Sequence, residues 1–288
     1  MKVLSNGDKV GIIACSNGLE EANKIKMKEL EDTLSLLGLK VVFSDKIYRK
    51  ISVFNGTGSE RAEVLMDFFK DCSIKAIFDI SGGDLANEVL DYLDFEIIRN
   101  NPKSFFGYSD LSVIINSLYS KAGLKTYLYQ IRNLIESYKE KQIKEFKSTF
   151  MESGNELLNF NYKWIQGNSM DGIVVGGNLR CFLKLAGTQY IPDFQDKIIF
   201  LESLGGDVPK MVTYLTQYKQ MGVFGEVKGI ILGSFTEMER KKYSPDIEEI
   251  VKGIVDNPNM PIVKTDEIGH GKDSKCIIIG ERIELLMV

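Results

Sequence analysis

Three polar residues that lie far apart in the sequence carry side chains that could together cleave an amide bond. Ser109 follows the apolar run 105–107, Glu202 ends the apolar run 198–201, and His270 is the single histidine of the chain. A lone histidine is more often an ordinary surface or core residue, so the other two segments carry the inference. A hydroxyl nucleophile, an imidazole base and a carboxylate that orients the imidazole are the groups of a serine triad.

The segment around Ser109 predicts a tight turn between a strand and a helix. Such a turn holds the serine Oγ clear of the backbone, and the amide of Asp110 then lies at a helix N-terminus where an oxyanion could bind. An ordinary helix N-cap is the alternative, because serine is common at that position. The single histidine and the carboxylate at a strand end favour the nucleophile.

The composition indicates a globular protein without a nucleic-acid or membrane partner. The chain has 288 residues, 44% of them hydrophobic, which suits one large or two modest domains. Its net charge of −4 is spread along the sequence, with no basic block that would follow a phosphate backbone. No run approaches membrane-spanning length, and no signal-peptide pattern precedes the first strand, so we expect a cytoplasmic protein.

Neither a metal nor a cofactor is expected from the sequence motifs. Cys15, Cys72, Cys181 and Cys276 are widely spaced, form no CxxC pair and have no histidine beside them, so we expect small buried side chains. The glycine pairs match neither G-x-G-x-x-G nor G-x-x-x-x-G-K-[ST]. Nucleotide binding would therefore rest on fold analogy alone.

Residues 1–130 predict an α/β domain. Apolar runs at 10–15, 40–43, 76–80 and 105–106 alternate with helical patterns at 20–37, 59–72, 85–93 and from 110 onward. This alternation is typical of a parallel sheet with a ligand crevice at the carboxyl ends of its strands. We expect Asp84 to cap the helix at 85–93.

The remaining sequence predicts a connector and a second domain. Residues 131–166 are rich in charged side chains and are expected to form a helical connector with a solvated face. Residues 167–288 are richer in short apolar strands, with helices at 210–221 and 245–255. The last predicted strands, at 276–280 and 283–288, are assigned to this second domain.

Four motifs occur in a fixed order over nearly the whole chain. They are the segment 101–110 ending in Gly-Tyr-Ser-Asp, Gly-Gly-Asn-Leu at 176–179 with Leu-Ala-Gly-Thr at 185–188, Ile-Phe-Leu-Glu at 199–202, and Gly-His-Gly at 269–271. This set resembles the LD-carboxypeptidase family of serine peptidases, which includes muramoyltetrapeptide carboxypeptidases and microcin C self-immunity peptidases. The combination is far more specific than any single motif.

The resemblance implies a Ser109, Glu202 and His270 triad, with an oxyanion hole formed by the backbone amides of Asp110 and Gly83. It implies a flavodoxin-like N-terminal domain, a smaller β-rich C-terminal domain of the swivelling β/β/α type, and a homodimer. The implied substrate is a small peptide such as a murein tetrapeptide, which would lose its C-terminal D-amino acid during peptidoglycan recycling. No metal or cofactor takes part in that chemistry.

Two departures from the family pattern bear on the substrate. Many members carry an arginine where this chain has Ser81, and a His-Gly-Pro step where it has Thr-Tyr-Leu-Tyr-Gln at 126–130. Because a cation is missing beside the double glycine, we expect Arg180 to bind the substrate carboxylate, with Gly82 and Asn178 also contacting substrate. An exposed helical position for Arg180 is the alternative.

Two other functions stay open at this point. One is a peptidase of the same fold that cleaves a microcin-like aminoacyl nucleotide, and an aromatic side chain that stacks on the base would support it. The single tryptophan, Trp164, lies in the predicted connector, where sequence alone does not place it relative to the site. The other is a non-catalytic protein that binds a sugar or a nucleotide.

Overall fold

In the computed structural model, which describes residues 2–287, the chain forms two domains, each built on a six-stranded sheet with flanking helices. The strands of residues 2–287 are β1 (Lys9–Ile13), β2 (Lys40–Phe43), β3 (Ile74–Asp79), β4 (Ser104–Gly107), β5 (Thr126–Leu128), β6 (Lys163–Gln166), β7 (Ser169–Asn178), β8 (Lys197–Ser203), β9 (Gly229–Phe235), β10 (Ile262–Lys264), β11 (Ile277–Ile279) and β12 (Arg282–Leu286).

The α-helices of the same residues are α1 (Lys24–Leu36), α2 (Gly58–Lys70), α3 (Phe95–Asn100), α4 (Ser112–Ala122), α5 (Lys139–Phe146), α6 (Leu179–Phe182), α7 (Val208–Gln220), α8 (Val223–Glu226), α9 (Thr236–Lys241) and α10 (Ile247–Val255). Short 3₁₀ segments lie at Glu21–Asn23, Ala86–Tyr92, Ser109–Leu111, Ile131–Ile135 and Leu183–Leu185, and a π-helical turn at Lys147–Met151.

The first sheet has the strand order β11, β5, β4, β3, β1, β2, and β1 to β5 pair in parallel. Its central strands are near-continuous apolar runs because both faces are covered. Ile77 packs into one apolar cluster, while Phe78, the next residue on the strand, packs into the other. The predicted parallel α/β domain is confirmed.

The second sheet has the order β12, β7, β8, β9, β10, β6. Strands β7 to β10 pair in parallel, and the two edge strands, β12 and β6, are antiparallel. Strand β6 corrects the expectation of a helical connector at 131–166, since residues 163–166 form a strand. Residues 163–166 pair with β10 because Trp164 and Ile165 are half-buried against the apolar core of this sheet.

Strand β11 lies in the first sheet, although the sequence assigns it to the second domain. It pairs antiparallel with β5, and its three isoleucines are all buried. Consecutive strand side chains point to opposite faces, so three buried neighbours need a sheet covered on both sides. The loop between β10 and β11 therefore passes from the second sheet to the first and carries His270 across the boundary.

Helix α4 joins the two sheets. Its Asn116 amide donates to the Gly176 carbonyl at 2.8 Å and accepts from the Gly176 N–H at 2.9 Å, both within the buried core. A buried hydrogen bond contributes about 1 kcal/mol net, whereas an unpaired buried partner costs more. Since β4 leads into α4, this double contact holds the end of β7 beside the turn that bears Ser109.

Two sequence expectations concern membranes and cysteines. Within residues 2–287, no helix has the length and apolarity needed to cross a membrane.

Cys15, Cys181 and Cys276 are buried and free, as expected. Cys72 is exposed, which corrects the prediction, because it lies in the turn after α2 rather than on the helix's apolar face.

Candidate active site

Ser109 sits on a tight turn between β4 and α4. Its φ of +55° lies in the left-handed region, which non-glycine residues adopt at a cost of about 1–3 kcal/mol and which clusters at functional sites. The turn leaves no space at Gly107, where a Cβ would lie 2.7 Å from the Leu111 Cβ. The helix-cap alternative is wrong, because the N-cap position of α4 is Leu111.

Glu202 and His270 form a direct contact. The Nδ1 of His270 lies 2.6 Å from the Oε2 of Glu202, whose side chain is 1% exposed. The other carboxylate oxygen accepts from the Asn178 side-chain amide at 2.9 Å. Because a carboxylate can only accept, Nδ1 donates this hydrogen bond, and in the neutral ring Nε2 is then the nitrogen that carries the lone pair.

The His270 ring lies beside the residue that precedes the serine. Its centroid is 5.5 Å from that of the Tyr108 ring. Within residues 2–287, the Nε2 atom is buried and has no hydrogen-bond partner, so the structure shows no bond to the Ser109 Oγ. Nucleophile–base hydrogen bonds are often long until substrate is bound, so the arrangement remains compatible with a base at Nε2.

A glycine is required just before the histidine. Gly269 has a φ of +150°, and a Cβ there would lie 2.0 Å from the Ser234 Oγ. Any other residue would have to displace the Ser234 side chain on β9 and adopt a strained φ, so Gly269 allows the loop to bring the imidazole against Glu202.

The double-glycine loop lies opposite the serine. A Cβ on Gly82 would be 3.8 Å from the Ser109 Oγ, and one on Gly83, with φ +126°, would collide with Asn17 at 2.2 Å. In the described part of the chain, the N–H groups of Gly83 and Asp110 donate to no protein acceptor. Two backbone donors are therefore unpaired near the serine.

The side chain of Asp110 is fully buried and has three partners. It accepts from the Ser16 hydroxyl at 2.6 Å and from the Ala86 N–H at 2.9 Å, and it forms an ion pair with Lys184. Lys184 also donates to the carbonyl of Asp84 at 2.8 Å. A lysine of the second domain thus ties together the two loops that carry the unpaired amides. Sequence reasoning missed Lys184, since a lysine in a short helical segment looks solvated.

We expect Lys184→Met to lower kcat at least tenfold, which corresponds to a rise of about 1.4 kcal/mol in the activation free energy. KM should change little. The change leaves the buried Asp110 carboxylate without its cation, so the neighbouring amide loses its fixed position. Steady-state kinetics on a tetrapeptide check this, with Lys228→Met as control because Lys228 pairs with Asp196 at the exposed surface. Equal kcat values for the two variants would show that Lys184 has no positioning role; Lys184→Arg should restore activity.

Arg180 has a counter-ion within the protein. Its guanidinium pairs with the Asp84 carboxylate and donates to the Gly83 carbonyl at 3.2 Å. Asp84 therefore does not cap a helix as predicted; residues 86–92 form a 3₁₀ segment without a side-chain cap. The side chain of Arg180 is 43% exposed, which agrees with the alternative of an exposed helical position. The sequence does not predict its ion pair with Asp84.

Asn178 and Ser81 are occupied by structural contacts. Besides its bond to Glu202, the Asn178 side chain accepts from the Cys181 N–H at 3.2 Å and so caps α6. The Ser81 hydroxyl donates to the buried Asp79 carboxylate at 2.5 Å, and burial raises the pKa of Asp79. Asn178 therefore positions the Glu202 carboxylate, which in turn contacts His270. Ser81 fixes the start of the double-glycine loop through its bond to Asp79.

Ser109 opens onto a cleft of about 420 Å³ between the domains. Residues of both domains line the cleft, among them Gly83, Ser109 and Asn178. Its charged and aromatic side chains are those of Asp84, Arg180, Lys210, Tyr214 and Glu237. Trp164 is not among the lining residues; it lies on β6, where it pairs with Val263. The tryptophan thus lies on an edge strand of the second sheet, outside the residues that line this cleft.

Family models match most of the chain. A model described as the LD-carboxypeptidase N-terminal domain matches residues 10–129, and one described as the C-terminal domain matches residues 171–285. The first includes Ser109 and the double glycine, and the second includes Glu202 and His270.

Named relatives agree with these matches over nearly their full length. A probable murein peptide carboxypeptidase of Bacillus subtilis is 26% identical, covering 98% of this chain and 89% of the relative. The microcin C7 self-immunity protein MccF of Escherichia coli is 24% identical, covering 98% and 91%. The crystal structure of an MccF-like protein from Bacillus anthracis superposes with a TM-score of 0.87 at 27% identity, covering 100% and 95%. The chain belongs to the LD-carboxypeptidase family.

Proposed function

We propose that this protein is a serine carboxypeptidase that removes the C-terminal D-amino acid from a murein tetrapeptide by cleaving an L,D amide bond. The observation that carries the proposal is the Glu202–His270 contact at 2.6 Å, which leaves the opposite ring nitrogen without a partner beside the turn that bears Ser109. Such a pair at a strained serine turn supports a nucleophile and its base.

In the first half of the reaction, neutral His270 takes the proton of Ser109 at Nε2 while the Oγ attacks the amide carbonyl carbon. The carbonyl oxygen becomes an oxyanion, and the unpaired N–H groups of Gly83 and Asp110 would donate to it. Glu202 keeps the ring in the required tautomer and stabilises the imidazolium. The C–N bond then breaks, and the amine leaves with the proton from His270.

In the second half, water attacks the ester of Ser109. His270 again acts as base, and the ester C–O bond breaks as the serine regains its proton. The products are a tripeptide with a new carboxylate and a free D-amino acid. All proton transfers in this scheme use groups of the chain itself.

The substrate class rests on the family and on a relative named a probable murein peptide carboxypeptidase. We further propose a homodimer that acts in the cytoplasm during peptidoglycan recycling, as the family resemblance implies. The microcin alternative has support from the relative named a microcin C7 self-immunity protein, but the position of Trp164 outside the cleft does not favour it.

We expect the purified protein to release D-alanine from a tetrapeptide whose terminal bond joins a diamino acid to D-alanine. Mass spectrometry would then show the tripeptide and the free amino acid. The epimer ending in L-alanine should be cleaved much more slowly, and an aminoacyl sulfamoyl adenosine serves as the competing substrate. Cleavage of the nucleotide without cleavage of the tetrapeptide would reject the murein proposal and support the microcin alternative.

A further inference from the structure

Arg132 lies beside the proposed nucleophile on the 3₁₀ segment Ile131–Ile135, which follows β5. Its Nη2 donates to the hydroxyl of Tyr108, the residue before Ser109, and its guanidinium carbon is 5.8 Å from the centroid of that ring. A Cβ on Gly82 would lie 3.7 Å from the Tyr108 hydroxyl and 3.8 Å from the Ser109 Oγ. The two hydroxyls therefore flank Gly82, and the guanidinium adjoins one of them.

Arg132 has no counter-ion among residues 2–287. Its Nε is buried without an acceptor, and the Tyr108 hydroxyl is its bonded partner. A guanidinium carries five donors and a permanent charge, so a half-buried one with a single neutral partner is incompletely satisfied. Arg180 differs in this respect, since it is paired with the Asp84 carboxylate.

The carboxylates that lie near Tyr108 already have partners. Two carboxylates act on Tyr108 through space, Asp79 and Glu202. The first accepts from Ser81, and the second lies 2.6 Å from His270. Neither is bonded to the guanidinium in the described structure.

We propose that Arg132 binds the free carboxylate of the substrate's C-terminal residue. This inference rests on the proposed function and names the group that makes the enzyme a carboxypeptidase. In a C-terminal residue one α-carbon separates the scissile nitrogen from the carboxylate, so the cation that binds it must adjoin the nucleophile. A planar guanidinium with free donors matches a carboxylate, and such charge-assisted bonds are roughly twice as strong as neutral ones.

The test compares two tetrapeptides that differ only at the terminus, one ending in D-alanine and the other in D-alaninamide. For the wild type, kcat/KM should favour the carboxylate about ten- to hundredfold. In Arg132→Gln this ratio should fall to near one, with the amide peptide cleaved at a rate close to wild type. Arg132→Lys, which keeps the charge, should recover part of the ratio. Comparable amide turnover shows that the variants are folded.

Two further arginine variants complete the test, one at the competing candidate and one control at the surface. Arg180→Gln tests the other candidate, and Arg282→Gln removes a surface arginine that pairs with Asp171 at the edge of the second sheet. Both should keep the wild-type ratio. A wild-type ratio in Arg132→Gln would overturn the inference, and a collapsed ratio in Arg180→Gln alone would transfer the role to Arg180.

A binding measurement separates this inference from the proposed function. Calorimetry with Ser109→Ala protein would compare the affinities for the two peptides, with and without Arg132→Gln. If the wild type cleaves neither peptide, the proposed function is wrong. Tighter binding of the carboxylate peptide that is lost with Arg132→Gln would still support a carboxylate site at Arg132. Equal binding of both peptides by Ser109→Ala protein that keeps Arg132 would reject it.

Discussion

Replacement of Ser109 by alanine should lower kcat by up to about a millionfold while the protein stays folded. Alanine removes the Oγ that would form the acyl-enzyme, and the residual rate would come from the oxyanion donors and substrate binding. The fold should survive because serine and alanine meet similar strain at φ +55° and because the turn is held by other contacts, such as the Ser112 hydroxyl donating to the Ser109 carbonyl at 2.7 Å.

The measurement is single-turnover and steady-state hydrolysis of the tetrapeptide, together with a thermal melt. Ser117→Ala is a matched control, since this buried serine of α4 donates within its own helix to the Val113 carbonyl. Its kcat should equal that of the wild type. Undiminished turnover by correctly folded Ser109→Ala protein would disprove a serine mechanism.

Loss of the histidine should have an effect of similar size. In His270→Ala, Ser109 has no base, so kcat should fall by a factor approaching that of the serine variant. The double variant should be little worse than either single one, because the two groups act as a unit. Additive losses would show that His270 and Ser109 serve independent roles.

The same base predicts a pH profile. His270 accepts a proton only when neutral, so kcat/KM should rise with pH on the acid side of the profile. Tyr108 should not add a limb near neutrality, because burial raises the pKa of its phenol, which therefore stays protonated. The rising limb should be missing from the residual activity of His270→Ala. A wild-type kcat/KM that does not fall on acidification, with chemistry rate-limiting and the protein folded, would argue against an imidazole base.

The elements that bear Ser109 and Glu202 are predicted by the local spacing of apolar residues in the sequence. The strand, turn and helix around Ser109 follow from an apolar run, a glycine and an apolar helical stripe, all within about twenty residues. Glu202 at the end of β8 follows in the same way, since a continuous apolar run predicts a buried parallel strand. The prediction that Asp84 caps a helix failed because Asp84 pairs with Arg180 of the second domain. The prediction of a helical connector failed at residues 163–166 because they pair with β10 in the second sheet.

The sequence by itself determined the parallel strands of the first sheet, the serine turn and the three residues that could act together, because these depend on short-range periodicity and on single polar residues at the ends of apolar runs. The tertiary structure alone decided which charges are paired. Asp110 and Lys184 are 74 positions apart, and Arg180 and Asp84 are 96 apart, so their pairing depends on how the two sheets pack. The same packing brings β11 back to the first sheet and leaves Arg132 with a hydroxyl instead of a carboxylate. Electrostatic partners are set by distance in space, and periodicity along the chain carries no information about that distance.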